Sequence, residues 1–250
     1  LDDGETCRKR KIGYNNKTNQ EQKMTVLEEK IAALKEKILV MAAEVEKMVE
    51  ESIRALVKRD AQLAERVVNQ AEKVVNHLEI EIEDMAINLI ALYQPEASNL
   101  RIITMVIKIN NDLERIGDHA VNIAEAALFL IPRPPVKPLI DLPRMANEAI
   151  GMLRDCLDAF TNNNPELARN VCVRDSVVDS LKDQINRELI TYMTSDATTI
   201  DRALKLMLIS LNLERIADLA TNISEDVIYA VKGEVIKHGR CDAGLQGLES

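Results

Sequence analysis

The chain is 250 residues long with 8 glycines, 7 prolines, 2 phenylalanines, 4 tyrosines and no tryptophan, yet 46% of it is hydrophobic. Its apolar content is therefore mostly aliphatic, alanine and methionine, the set that fills helix seams rather than sheet faces. Between Tyr14 and Lys232 only Gly117 and Gly151 occur, and no GxGxxG, GxxxxGK[ST] or GxSxG is present, which excludes most glycine-loop chemistry. A net charge of -9 disfavours binding to a nucleic-acid backbone.

Cys7, Cys156, Cys172 and Cys241 form no CxxC pair, which fits a reducing cytoplasm better than a disulfide framework. There is no apolar run of about 18 residues, and the opening LDDGETCRKRK is not a signal peptide. A cytoplasmic protein is expected, peripheral to a membrane only through its partners.

Residues 1–23 lack a helical period and read as a disordered or adventitious tail ahead of Met24. From Glu21 to Arg59, Val26, Ile31, Leu34, Ile38, Met41, Val45, Met48, Ile53 and Leu56 recur at helical spacings. Asp60 is a good N-cap for a second helix running to about Tyr93. Pro95 marks a turn, and Ser98 or Asn99 is expected to cap a third helix ending near Leu130. Five prolines between Pro132 and Pro143 then form a linker. Three more helices follow, at about Leu142–Phe160, Pro165–Met193 and Thr199–Lys232, broken by TNNNP and TSDATT and stopped near Gly233.

Long helices joined by short turns pack antiparallel. The expected fold is all-α: two tandem three-helix bundles, 24–131 and 144–238, joined by the linker 132–143 and followed by a tail, 239–250.

The third and sixth helices carry LERIGDHAVNIAE at 113–125 and LERIADLATNISE at 213–225, identical at nine of thirteen positions and 100 residues apart. Internal duplication explains this, so each half is a copy of one unit. On a helix, Leu113, Ile116, Ala120, Ile123 and Ala127 form a core-facing stripe, with Glu114, Asp118, Asn122 and Glu125 together on the far side. Glu214, Asp218, Asn222 and Glu225 repeat that row.

Like charges one turn apart repel, so the row is either a solvated acidic face or a cation site. Its oxygens are hard ligands, suited to iron, manganese, magnesium or calcium rather than to a thiolate zinc site. Neighbouring helices add Asp175 and Asp179 in the second half, and Glu72 and Asn76, followed by Glu79 and Glu83, in the first. Ligand charge alone makes the C-terminal site the stronger.

QPEASNLR at 94–101, NNDLERIGDHAVNIAE at 110–125 and NLERIADLATNISEDVIY at 212–229 resemble the motifs of the PhoU family of phosphate regulators. The resemblance covers about Met24 to His238. It implies two symmetric three-helix bundles with multinuclear iron clusters, or another divalent cation such as zinc, on the bundle surface. The implied ligands are Glu72 and Asn76, Glu114 and Asp118, Asp175 and Asp179, and Glu214 and Asp218, with Asn76 departing from the acidic pattern. It further implies a negative regulator of phosphate uptake and starvation signalling, placed between a phosphate ABC transporter and a sensor histidine kinase, and a homodimer or larger assembly.

Two other readings stay open on the residues alone. One is a carboxylate metalloenzyme or metal store, although none of His77, His119 and His238 sits in a Glu-x-x-His motif. The other is a helical scaffold whose acidic faces are merely solvated.

Overall fold

The computed structural model describes residues 3–233, with side chains from Met24 onward. The tail 239–250, His238, Cys241 and the side chain of Cys7 lie outside the described residues. Helix α1 is Asp3–Lys58, so its backbone takes in residues 3–23, set apart above as a tail. Within α1 the buried stripe begins at Leu27 rather than Val26, because a four-residue step from Leu27 leads to Ile31 and the rest of the row.

Asp60 caps α2, Ala61–Arg66, by accepting from the Leu63 amide at 3.1 Å. A five-residue π-turn, Val67–Ala71, continues it into α3, Glu72–Tyr93. Helix α4 is Ala97–Leu130, with Glu96 at its N-cap. Neither Ser98 nor Asn99 caps it: Gln94 is left-handed at φ 46°, Glu96 is the extended N-cap, and the helix starts at Ala97, two residues after Pro95.

Helix α5 is Asp141–Asn162. Asn163 is left-handed, and Asn164 accepts from the Glu166 and Leu167 amides at 3.1 Å to start α6, Pro165–Ser195. Asp196 turns the chain through a short 3₁₀ segment into α7, Ile200–Lys232. Gly233 ends α7 at φ 72°, a conformation that favours glycine. Since α2, the π-turn and α3 form one rod, the described residues make six rods and no strand, as expected for two three-helix bundles. None of the described helices is long and apolar enough to cross a membrane.

In the first bundle α4 packs on α1 and α3; in the second α7 packs on α5 and α6. The bundles also join through α4 on α7 and α1 on α5, and the buried side chains form one continuous apolar cluster. The expected stripe Leu113, Ile116, Ala120, Ile123 and Ala127 is fully buried.

Polar groups fix the register of the α4–α7 seam. Lys108 pairs with Asp226 at 2.6 Å, and Asn212 Oδ1 lies 2.9 Å from His119 Nδ1 and 3.3 Å from Asn122 Nδ2. His119 is thus a half-buried seam residue that faces Asn212 across α4 and α7.

The proline-rich connection is held down. Lys137 is buried between Glu188 and Asp141, and Arg202 donates to the Pro134 carbonyl at 2.7 Å.

The two interior glycines differ in the room around them. A Cβ on Gly151 would lie 2.8 Å from Arg174 Nη2, whose guanidinium spans Glu148 and Asp155. A Cβ on Gly117 would meet Val75 Cγ1 at 3.4 Å and Met48 Cε at 3.9 Å, both ordinary contacts, and the duplicate position is Ala217. Gly117→Ala should therefore stabilise the protein by about 0.5–1 kcal/mol through helix propensity. Thermal unfolding of the variant checks this.

Candidate cation site

The eight motif residues fall in two grooves, α3–α4 and α6–α7, and helix register determines how the grooves correspond. Buried Ala64 and Val67 are matched by Ala168 and Val171, 104 residues on. Buried Val75 and Ile82 are matched by Val178 and Ile185, 103 residues on. The first bundle therefore holds one extra residue between Val67 and Val75, where the π-turn lies. A π-turn absorbs such an insertion without breaking the helix. Beyond it the register is restored, so Glu72 and Asn76 correspond to Asp175 and Asp179.

In the second bundle the four acids come together. The Asp175 carboxyl is pushed up to about 6, first by burial and then by Asp218, Asp179 and Glu214, against the opposing pull of Lys182. Asp218 is also raised, chiefly by burial and by Glu214, with Arg215 opposing. Lys182 Nζ lies 3.0 Å from Asp179 Oδ1 and 3.1 Å from Glu214 Oε1, and Arg215 Nη1 lies 3.1 Å from Asp218 Oδ2. Glu214 Oε2 is buried without a hydrogen-bond partner, 3.6 Å from Arg215 Nε.

In the first bundle Glu114 is raised by burial, then by Asp118 and Glu79, with Glu72 adding and Arg115 opposing. Asn76 and Asp118 are exposed on the groove's rim. Asn110 donates to the Glu79 carbonyl at 2.9 Å, tying α3 to α4 one turn before Glu114. Glu79, placed by its spacing just after the motif, belongs to the cluster itself.

Lys182 is the residue that motif reading missed. Its place in the row was readable, since 175, 179 and 182 share one helical face, but its partner Glu214 on the neighbouring helix was not.

Among the described residues no group of three His, Cys, Asp or Glu is set to hold a metal ion. The carboxylate oxygens of Glu72, Glu79, Glu114 and Asp118 in the first bundle are of the donor type a hard cation takes, with Arg115 opposing the charge at Glu114. In the second bundle such a cation does not fit without displacement, because the Lys182 ammonium already bridges the two helices.

Residues 38–127 and 142–227 match the PhoU domain model. The chain belongs to the PhoU family. An Aquifex aeolicus protein titled phosphate-specific transport system accessory protein PhoU homolog is 40% identical over 159 residues, 64% of this chain and 72% of that protein. A Thermotoga maritima homologue is 39% identical over 158 residues, 63% of this chain and 67% of that protein. The crystal structure of PhoU from Pseudomonas aeruginosa superimposes with a TM-score of 0.80 at 34% identity, over 83% of this chain and 99% of that one. A phosphate transport system regulatory protein PhoU from Streptococcus pneumoniae gives 0.79 at 27% identity, over 85% of this chain and 100% of that one. PhoU proteins are regulatory and not catalytic, so this chain is not an enzyme.

The raised carboxyls set a pH dependence. An Asp175 carboxyl raised from its ordinary value of 3.8 to about 6 in the folded state binds its proton more tightly than it does in the unfolded chain. Stability is then lost as pH rises through about 4 to 6. Without added metal, Asp175→Asn should raise stability at pH 7.5 by on the order of 1 kcal/mol, a figure discounted for partial solvent exposure. At pH 4 it should change little. Urea unfolding at the two pH values measures the difference.

Proposed function

We propose that this protein regulates phosphate uptake and phosphate-starvation signalling as an adaptor between a phosphate ABC transporter and a sensor histidine kinase. The observation that carries this reading is the duplicated acid row, kept in register on adjacent grooves by the same helices that match the family. The printed names of the relatives, accessory to or regulatory of phosphate transport, supply the pathway. The face formed by α3, α4, α7 and α6 is the one offered to partners, because it presents both acid rows on rigid helices. An iron cluster or other divalent cation held by the motif residues would neutralise that face and leave positions open to phosphate oxygens.

A pull-down from phosphate-replete cells tests the adaptor reading. The transporter ATPase or the sensor kinase should be recovered, and recovery of neither contradicts it. Glu114→Gln with Asp118→Asn should reduce that recovery several-fold while leaving the circular dichroism spectrum unchanged.

A further inference from the structure

The outer row of α7 reads Asp201, Leu204, Leu208, Leu211 and Arg215, all exposed. Its alternating three- and four-residue steps are those of a seam between two helices. The leucines are 52, 38 and 44% exposed, and Ile200 adjoins them on the same side. On α6, Asn186 lies 3.5 Å from Ser210 of α7, so Ile190, one turn further and 51% exposed, widens the stripe. The equivalent row of α4, 100 residues earlier, is Arg101, Thr104, Lys108, Asn111 and Arg115, also exposed. The same place in the fold is therefore filled by polar residues in the first bundle, and the packing of a bundle does not call for leucine there.

We propose that this row of α7 is a docking surface for a second copy of the chain, seated antiparallel on the same row with Leu208 near the two-fold axis. Charge selects both the occupant and its direction. The stripe is acidic at one end and basic at the other, so an antiparallel copy brings Asp201 of each chain toward Arg215 of the other. A parallel copy would stack like charges at both ends. Arg215 keeps 55% of its side chain exposed while it pairs with Asp218, which leaves donors for a second carboxylate. The α4 row, with arginine at both ends, would repel its own copy in either direction. The apolar side chains of the stripe expose on the order of 400 Å² per copy, which with a polar rim reaches the low end of specific interfaces, so the dimer is weak and reversible.

Sedimentation equilibrium on the full chain tests this, run in chelator so that no metal bridges the copies. Over roughly 1 to 500 μM protein, wild type should show a monomer–dimer equilibrium with a micromolar dissociation constant. Leu208→Glu should weaken it about tenfold or more, with the circular dichroism spectrum unchanged because the side chain is exposed. Asp201→Arg alone and Arg215→Asp alone should each weaken it several-fold. Mixing these two variants should restore dimers at wild-type strength or better, because every arginine then faces an aspartate.

A wild-type chain that stays monomeric over that range overturns the proposal, and so does a dimer that Leu208→Glu leaves intact. A monomer that loses the transporter ATPase or the sensor kinase in pull-downs on Leu208→Glu assigns the row to a partner and overturns the second copy. A dimer weakened by Leu208→Glu but by neither charge reversal overturns the antiparallel seating.

Discussion

Everything else in this fold depends on α4 and α7 burying two faces at once. Each supplies the central stripe of its own bundle, and each also packs against the other across the seam. Val121, Ala124 and Ala126 are buried beside the core stripe of α4, and Leu219 and Ser224 beside that of α7. Only a narrow row on each helix is left for polar groups, and it carries Glu114 and Asp118 or Glu214 and Asp218. Glu114, Glu214 and Asp218 thus lie partly buried, with Asp118 exposed at the rim, and burial is the first cause of the raised carboxyls at Glu114 and Asp218. The tension between charge and burial at these sites follows from packing.

Duplication carries a second constraint, register. One extra residue entered the second rod of the first half, and the helix absorbed it in the π-turn Val67–Ala71. Had the shift persisted, each residue downstream would have rotated by about 100°, moving Glu72 and Asn76 off the groove. Instead Val75 returns to the position of Val178 and packs where Gly117 leaves room. A local irregularity preserves the site geometry, and it lies directly before the first motif residue.

Most of the fold was legible because the breakers are few and chemically plain. Asp60, the Asn164–Pro165 pair, Asp196 and Gly233 act through caps and a left-handed stop that local sequence specifies. The start of α4 was misjudged because Pro95 fixes the turn more tightly than cap preference at Ser98 or Asn99 does. The phase of α1 was off by one at its start, since Val26 and Leu27 fit the spacing almost equally and only packing separates them. The acid rows were visible in sequence because duplication marks them. Lys182 and the role of His119 were not, because both depend on what the neighbouring helix presents: Glu214 in one case, Asn212 in the other. The π-turn left its trace only as a change in repeat offset, which becomes readable once buried positions are known.

The proposed function needs the duplicated acid rows to be cation sites. Anomalous diffraction at the manganese edge, from crystals grown with Mn²⁺, tests this most directly. An anomalous peak against Glu114 and Asp118 or against Glu214 and Asp218 is the result predicted, and crystals with no peak against either pair would contradict it.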